Sequence, residues 1–335
     1  MTLRVLQGID SLPDPERGRG CVATVGVFDG VHLGHFHVLR RVVEKAKERA
    51  ATPVMVTFSE HPKEVLTGHA PPTVTSLDHR LLLFERAGIA TTLVLEFDES
   101  LRQIPADAFV REILLDGLGL RELVFGFDSK FGKDRGGNPE SLGPLAREMD
   151  FAIHEVAPLR LGGRAVSSSA IREAVQLGEL KKAAVMLGRP VGVLGTVIPG
   201  EGRGREVGFA TANLDLHHEL KPPGGVYAAF AMTEDGELRP AMVNIGTRPS
   251  FGEDGETVVE VHILDFEADL YGSNLEVFFL GLIRDEVAFP DSPALAAQLE
   301  KDALATLKLA SKAPSAWRIP GAFLPIEGSS PNDLG

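Results

Sequence analysis

Between Val22 and Val156 the chain alternates between two hydrophobic periods. Short runs that are apolar at almost every position (VATVGVF, PVMVTF, TTLVLEF, ELVFGF, FAIHEV) alternate with stretches whose apolar residues fall three and four apart, such as FHVLRRVVEKAKERA, LDHRLLLFERAG and ADAFVREILLDGLG. A strand with no polar face must be covered on both sides, and an amphipathic helix following it supplies the cover. The first half is therefore expected to be an α/β unit, a parallel sheet with helices on both faces. Sheets of this kind bind ligands beyond the carboxyl ends of their strands. Two shorter helical stretches follow over residues 168–187, broken at Gly178.

After Leu-Gly-Arg-Pro (187–190) the helical period disappears. VGVLGTVI, GVYAAFAM, PAMVNIG, TVVEVHIL and LEVFFLGLI are strand-like and are joined by turns rich in Gly, Pro and Asp. Strands without intervening helices predict an antiparallel sheet closed into a small barrel. One late helix is expected, with Ser292 as N-cap, Pro293 at its first position and leucines at 295, 299, 304 and 307. The expected domains are residues 1–187 and 188–315, with 316–335 as a flexible tail. A length of 335 residues, more than one core usually serves, agrees with two domains.

Charge and cysteine usage narrow the partners. A formal net charge of −13 argues against nucleic acid, whose phosphate backbone needs an excess of Lys and Arg, yet it permits a nucleotide held by a few local donors. The lone cysteine, Cys21, excludes a disulfide framework and fits a reducing cytoplasm. MTLRVLQGID has no charged leader before an apolar run, so no signal peptide is expected. The longest apolar stretch, LEVFFLGLI (275–283), is roughly half of a membrane span. The expected partners are small molecules, with neither nucleic acid nor membrane, and the expected location is the cytoplasm.

The junction VGVFDGVHLGHFHVLRR (25–41) carries chemistry. VATVGVF is the first strand, FDG the turn at its carboxyl end, and the helix begins near Leu33 to His35, so His32 and His35 flank a helix N-terminus. Unpaired N–H groups and the positive end of the helix dipole suit an anion there. Gly26, Gly30 and Gly34 would let backbone approach a ligand closely, and imidazoles can donate to phosphate oxygens. Zinc is disfavoured, because neither an HExxH nor a CxxC accompanies these histidines.

G-x-F-D-G-x-H-x-G-H resembles the signature of the nucleotidyltransferase half of bacterial bifunctional riboflavin kinase/FAD synthetases. TFSEHP (57–62), GFDSKFGKDRGG (126–137) and SSSAIR (167–172) are similar to further motifs of that family, in the same order. The chain departs from the common pattern at Ser59-Glu60, at Ser129 and at Ser169-Ala170. The resemblance implies a Rossmann-like nucleotidyltransferase domain in which His32 and His35 steady the α- and β-phosphates of ATP. It places Gly26, Phe28, Asp29, Gly34, Ser168 and Arg172 around ATP, and Asp128 and Phe131 in the loop near flavin and nucleotide. Attack of one phosphate on another needs no covalent nucleophile, only in-line positioning and neutralised charge.

In the second half, GTVIPGEGRGREVGFATANLDL (195–216) is not a P-loop, since no G-x-x-x-x-G-K-[ST] occurs and a strand rather than a helix follows the glycines. Thr211 and Asn213 offer a hydroxyl and an amide oxygen two residues apart, a spacing that points both to one strand face, and Mg²⁺ prefers such hard donors. In TVVEVHIL, Glu260 and His262 share the face opposite Val259, Val261 and Ile263. G-x-G-R-G-x-x-x-G-F-x-T-A-N is similar to the kinase domain of the same family, with Ala210 replacing the usual proline. PGGVYA, NIGTRPSFG, VEVHILDFEADLYG and IRDEVAF resemble its later motifs. By this resemblance Thr211 and Asn213 hold Mg²⁺ and the ATP phosphates, Glu260 is the catalytic base, and Gly202, Arg203, Gly204, Gly208, Asn244 and Arg284 contact ATP or flavin. Tyr271 is a further pocket residue, and His262 is assigned to structure.

The implied function is phosphorylation of riboflavin by ATP to FMN, then adenylylation of FMN by a second ATP to FAD and pyrophosphate. The alternatives are a single-activity nucleotidyltransferase with a non-catalytic flavin-binding barrel, or a flavin-binding sensor without catalysis. Both leave the T-A-N and E-V-H motifs without a purpose.

Overall fold

The structure is a computed structural model that describes residues 2–12, 20–60, 65, 68, 70–200, 208–217, 219–247 and 257–318. Gly202, Arg203 and Gly204, the end of TFSEHP, the second half of NIGTRPSFG and residues 319–335 lie outside these. The chain divides by its internal contacts into two compact units, Met1–Thr73 with Leu77–Ser168, and Val74–Ser76 with Ser169–Gly335.

Among the described residues the first unit holds a six-stranded parallel sheet in the order β1-β4-β3-β2-β5-β6. The strands are β1 (Arg4–Gln7), β2 (Cys21–Val25), β3 (Thr52–Phe58), β4 (Thr91–Leu95), β5 (Leu120–Gly126) and β6 (Ala152–Val156). Five of them coincide with the apolar runs. β1 is the exception: it pairs with β4 at the sheet edge, and only Leu6 of its four residues is buried, so it carries no apolar signal. Helix α1 (Leu33–Glu48) packs on β2, β3 and β5. On the opposite face a nine-residue π-helix (Phe109–Gly117) and a later α-helix (Pro139–Glu148) set Phe109, Val110, Ile113, Leu142 and Leu145 against Ala23, Val56, Leu93 and Leu123. The chain leaves β2 toward β3 on one side and toward β5 on the other. The crevice where such an order reverses, at the carboxyl end of β2, is where a doubly wound sheet takes its ligand.

Two short helices follow, Ser168–Gln176 and Leu180–Leu187, separated at Gly178 as the sequence predicts. Gly188 ends the second of these in a left-handed conformation (φ 72°). Beyond them, six strands among the described residues close into an antiparallel barrel, β10-β13-β12-β11-β14-β9. These are β9 (Gly192–Ile198), β10 (Ala212–Asp215), β11 (Gly225–Met232), β12 (Leu238–Thr247), β13 (Thr257–Ile263) and β14 (Asn274–Arg284). β11 is apolar on both faces for a reason. Tyr227, Ala229 and Ala231 face inward beside Val243 and Ala241, while Val226, Ala228 and Phe230 lie on the outer face beneath the helix Ser292–Lys312.

That last helix departs from expectation in two ways. Its N-cap is Asp291, whose carboxylate accepts from the Ala294 N–H at 2.8 Å, so Ser292 is already helical. Its buried stripe is Asp302, Thr306 and Ala310, while Leu304 and Leu307 are exposed. The stripe is set by a buried ion pair: Arg284 of β14 grips Asp302 through Nε and Nη2, at 2.9 and 2.8 Å from Oδ2.

Candidate active sites

The first cluster grows from the end of β2. Past Val25 the chain turns through Phe28 (φ 54°), Gly30 (φ 78°) and Val31 (φ 36°) before α1 begins. Left-handed geometry at a phenylalanine and a valine costs about 1–3 kcal/mol each and persists only where neighbours enforce it. What the turn achieves is a stack of rings. His35 lies 4.5 Å from Phe28 and 3.6 Å from His32, centroid to centroid, with interplanar angles of 25° and 14°.

His32 is the N-cap of α1, and its Nδ1 accepts from the His35 N–H at 3.2 Å. With Nδ1 an acceptor, neutral His32 carries its proton on Nε2, which makes that nitrogen a donor. The Nε2–H of His32 and the first-turn N–H groups of α1 are donors that an anion can accept from. Gly26 and Gly34 leave room for these rings. A Cβ at Gly26 would meet the Phe28 ring at 2.9 Å, and one at Gly34 the His32 ring at 3.1 Å. Asp29 is buried, and its carbonyl accepts from the Ser168 hydroxyl at 2.9 Å. Arg172 lies one turn further along the Ser168–Gln176 helix and is half-buried.

The loop after β5 contains Asp128 and Phe131. Phe131 is 7% exposed and belongs to the core, parallel to Phe125 at 5.7 Å and tilted against Phe109 at 5.2 Å. Its ring is thus committed to packing. Phe127 is the aromatic this loop presents, 59% exposed, next to exposed Asp128.

One residue of this cluster was missed by the sequence analysis. Arg80, on the helix Leu77–Arg86, is buried and donates to the Val27 and Phe58 carbonyls and to the Thr57 hydroxyl. Burial pulls its pKa down to about 10, opposed by the Asp29 carboxylate. The available signal was its helical spacing, three and four residues before Leu83 and Phe84, which puts a cation on the apolar face.

The second cluster is built by strand register on the outside of the barrel. Asn213 of β10 pairs with Glu260 of β13, Glu260 with Asn244 of β12, Asn244 with Val226, and Val226 with Arg284 of β14. Directly opposed residues on one face have Cβ atoms about 5 Å apart, so Glu260 stands between two amides. Asn213 is buried, and Gly200 leaves room for its amide, with which an added Cβ would collide. Arg284 falls in the same row, but its guanidinium is engaged by Asp302.

Thr211 is exposed, just ahead of β10, and lines a cavity of about 700 Å³ with Gly208, Glu267, Asp269 and Tyr271. Asn213 lines a separate one of about 340 Å³ with Ile198, Glu219 and Lys221. Thr211 immediately precedes β10, and Asn213 is the second residue of that strand. His262 donates from Nδ1 to the Ala210 carbonyl at 2.7 Å and packs on Phe209, which ties the chain just before Thr211. Among the described residues no group of three or more His, Cys, Asp or Glu side chains could hold a metal ion. The hydroxyl of Thr211, the amide oxygen of Asn213 and the carboxylate of Glu260 are nonetheless hard donors of the kind Mg²⁺ accepts.

A histidine-flanked helix N-terminus at the switch point of a parallel sheet, together with a carboxylate set between amides on a barrel, is compatible with the class of two-domain transferases. Comparison with known proteins agrees with that class. The FAD synthetase family model matches residues 14–170 and the riboflavin kinase model residues 187–310. A bifunctional riboflavin kinase/FMN adenylyltransferase of Pseudomonas fluorescens is 37% identical over 94% of this chain and 100% of its own length. One from Haemophilus influenzae is 36% identical over 85% of this chain and 92% of its own. A crystal structure described as a macrolide-efflux protein from Streptococcus pneumoniae covers 92% of this chain and 99% of its own, at 29% identity and a TM-score of 0.76. Among the described residues no helix is long and apolar enough to cross a membrane. The chain belongs to the bifunctional riboflavin kinase/FMN adenylyltransferase family.

Proposed function

We propose that the two activities divide at residues 187/188, with the histidine cluster serving adenylyl transfer and the barrel row serving phosphorylation. The chain is a bifunctional transferase that converts riboflavin and ATP to FMN, then FMN and ATP to FAD and pyrophosphate. The observation that carries this reading is that both family models match one chain in sequence order, 14–170 and 187–310.

In the first reaction Glu260 takes the proton of riboflavin's terminal hydroxyl as that oxygen attacks the γ-phosphorus of ATP and ADP leaves. Asn213 and Asn244 orient the carboxylate from either side. Thr211 and Asn213 would hold Mg²⁺, which when bound supplies positive charge beside the ATP phosphates. The residues Gly202, Arg203, Gly204 and Gly208 contact ATP or flavin by family motif. Arg284, held by Asp302, acts through the position of β14.

In the second reaction the FMN phosphate attacks the α-phosphorus of ATP and pyrophosphate leaves. His32, through Nε2–H, and His35 donate to the phosphate oxygens where negative charge builds, and the N–H groups of the first turn of α1 add to them. Arg172 is assigned to the triphosphate by its motif and Asp128 to the flavin-proximal loop. The enzyme works in the cytoplasm on these small molecules, without nucleic acid.

Incubation of the pure chain with riboflavin, ATP and Mg²⁺, with flavins separated over time, tests this. FMN should appear first and FAD after it. Folded protein that leaves riboflavin unchanged would refute the reading.

A further inference from the structure

The histidine cluster leaves one buried cation without a part in the chemistry. Arg80 is 3% exposed, so it cannot touch a substrate. Its Nη1 donates to the Val27 carbonyl at 2.8 Å and to Thr57 Oγ1 at 3.0 Å, and its Nη2 donates to the Phe58 carbonyl at 3.0 Å. The Thr57 hydroxyl donates in turn to the same Val27 carbonyl, at 3.3 Å. Phe84, one helical turn beyond Arg80, meets Phe28 edge-on at 6.2 Å. One helix face thus holds both residues that enter the left-handed turn, Val27 by hydrogen bonds and Phe28 by packing.

A planar guanidinium can bridge two carbonyls in a fixed geometry, which a lysine ammonium on a flexible stem cannot. The two carbonyls bridged here follow β2 and end β3, which are neighbouring strands beside the switch point. Phe28 carries His35, and His35 carries His32. A displacement at Val27 therefore propagates through a ring stack to the atoms that would meet the phosphates.

We propose that Arg80 is a positioning residue for adenylyl transfer: its fork clamps the turn at Val27 and Phe28, and so sets where His32 and His35 meet the nucleotide. This rests on the reading of the histidine cluster as the adenylyl-transfer site.

The test uses the full chain with Arg80→Gln, Arg80→Lys and Thr57→Val. It measures kcat and KM for FMN adenylylation, riboflavin phosphorylation in the same preparation, and thermal unfolding. Arg80→Gln should lower the adenylylation kcat by about 100-fold, the scale of a misplacement near 1 Å. KM values should change by less than about threefold and riboflavin phosphorylation by less than about twofold. Arg80→Lys should fall between parent and glutamine variant. Thr57→Val, nearly isosteric, should lose about tenfold in kcat with little change in melting.

Unchanged kcat in a folded Arg80→Gln chain would overturn the proposal, as would a loss confined to KM or full activity in the lysine variant. If Arg80→Gln does not fold, Thr57→Val decides, and full kcat there overturns it. FAD formation equal in variant and parent removes the clamp alone. Absence of FAD formation in the parent removes the site reading and the clamp with it.

Discussion

The histidine cluster and the barrel row reach similar ends by different means. In the first unit, the side chains proposed for adenylyl transfer follow a turn with two non-glycine residues at positive φ, held by a buried arginine, stacked rings and glycines that make space. In the barrel, Asn213, Glu260 and Asn244 need no unusual backbone, because antiparallel register already puts them side by side. A site made by register can be altered one side chain at a time. A site made by a strained turn depends on residues that never meet the ligand.

The sharpest way to break this comparison is at Glu260. Replacement by glutamine should reduce riboflavin phosphorylation by about 10²- to 10⁴-fold, the usual contribution of a general base. FMN adenylylation by the same chain should be unchanged in a coupled pyrophosphate assay, and equal loss of both would contradict separate sites. His32→Ala should do the converse, lowering FAD formation from FMN by about 10²- to 10³-fold while FMN formation persists. It also removes an N-cap worth about 1 kcal/mol, so a small drop in melting temperature should accompany it.

Asp302→Asn sharpens the contrast by testing structure alone. Arg284 would lose the carboxylate partner of its buried pair, at a cost of about 3 kcal/mol. Denaturant unfolding followed by riboflavin phosphorylation should show that loss, and an unshifted midpoint would mean that the pair is not what seats the last helix. Cys21 gives the smallest effect. Burial pushes its thiol from the ordinary 9.0 up to about 12, so native protein should not react with a thiol reagent at pH 8 until it unfolds. Because ionisation is easier in the unfolded chain, this thiol's contribution to stability is intact below pH 9 and declines as pH rises toward 12.

Much of this was readable from the sequence where periodicity governs. Five of the six parallel strands and five of the six barrel strands follow from apolar spacing, whereas the late helix is present but turns Leu304 and Leu307 to solvent. Strand β1 did not, because an edge strand with one buried residue has no pattern to detect. The position of His32 and His35 at a helix start was also legible, but the ring stack was not, since it depends on Phe28 adopting a conformation that its residue type disfavours. What the sequence did not show is that Gly26 and Gly34 also leave room for the protein's own rings, Phe28 and His32.

In the barrel, Thr211-Ala212-Asn213 and Glu260-Val261-His262 declared a two-residue period. Which strands would lie side by side is decided by the closure of the barrel, and a local motif does not contain it. Arg284 looked available for a ligand because its partner lies 18 residues away on the last helix. Phe131 lies in the loop after β5 as expected, but its packing against Phe125 and Phe109 joins distant segments and was not legible in the motif.

Independence of the two sites is the central claim, and mixing tests it most directly. Glu260→Gln protein alone, given riboflavin, ATP and Mg²⁺, should make little FMN or FAD, and His32→Ala protein alone should stop at FMN. The two together should produce FAD, as FMN released by one is adenylylated by the other. A mixture that yields no FAD from two folded variants, each active in its remaining half-reaction, would contradict the account, as would FAD formed at the parent rate by either variant alone.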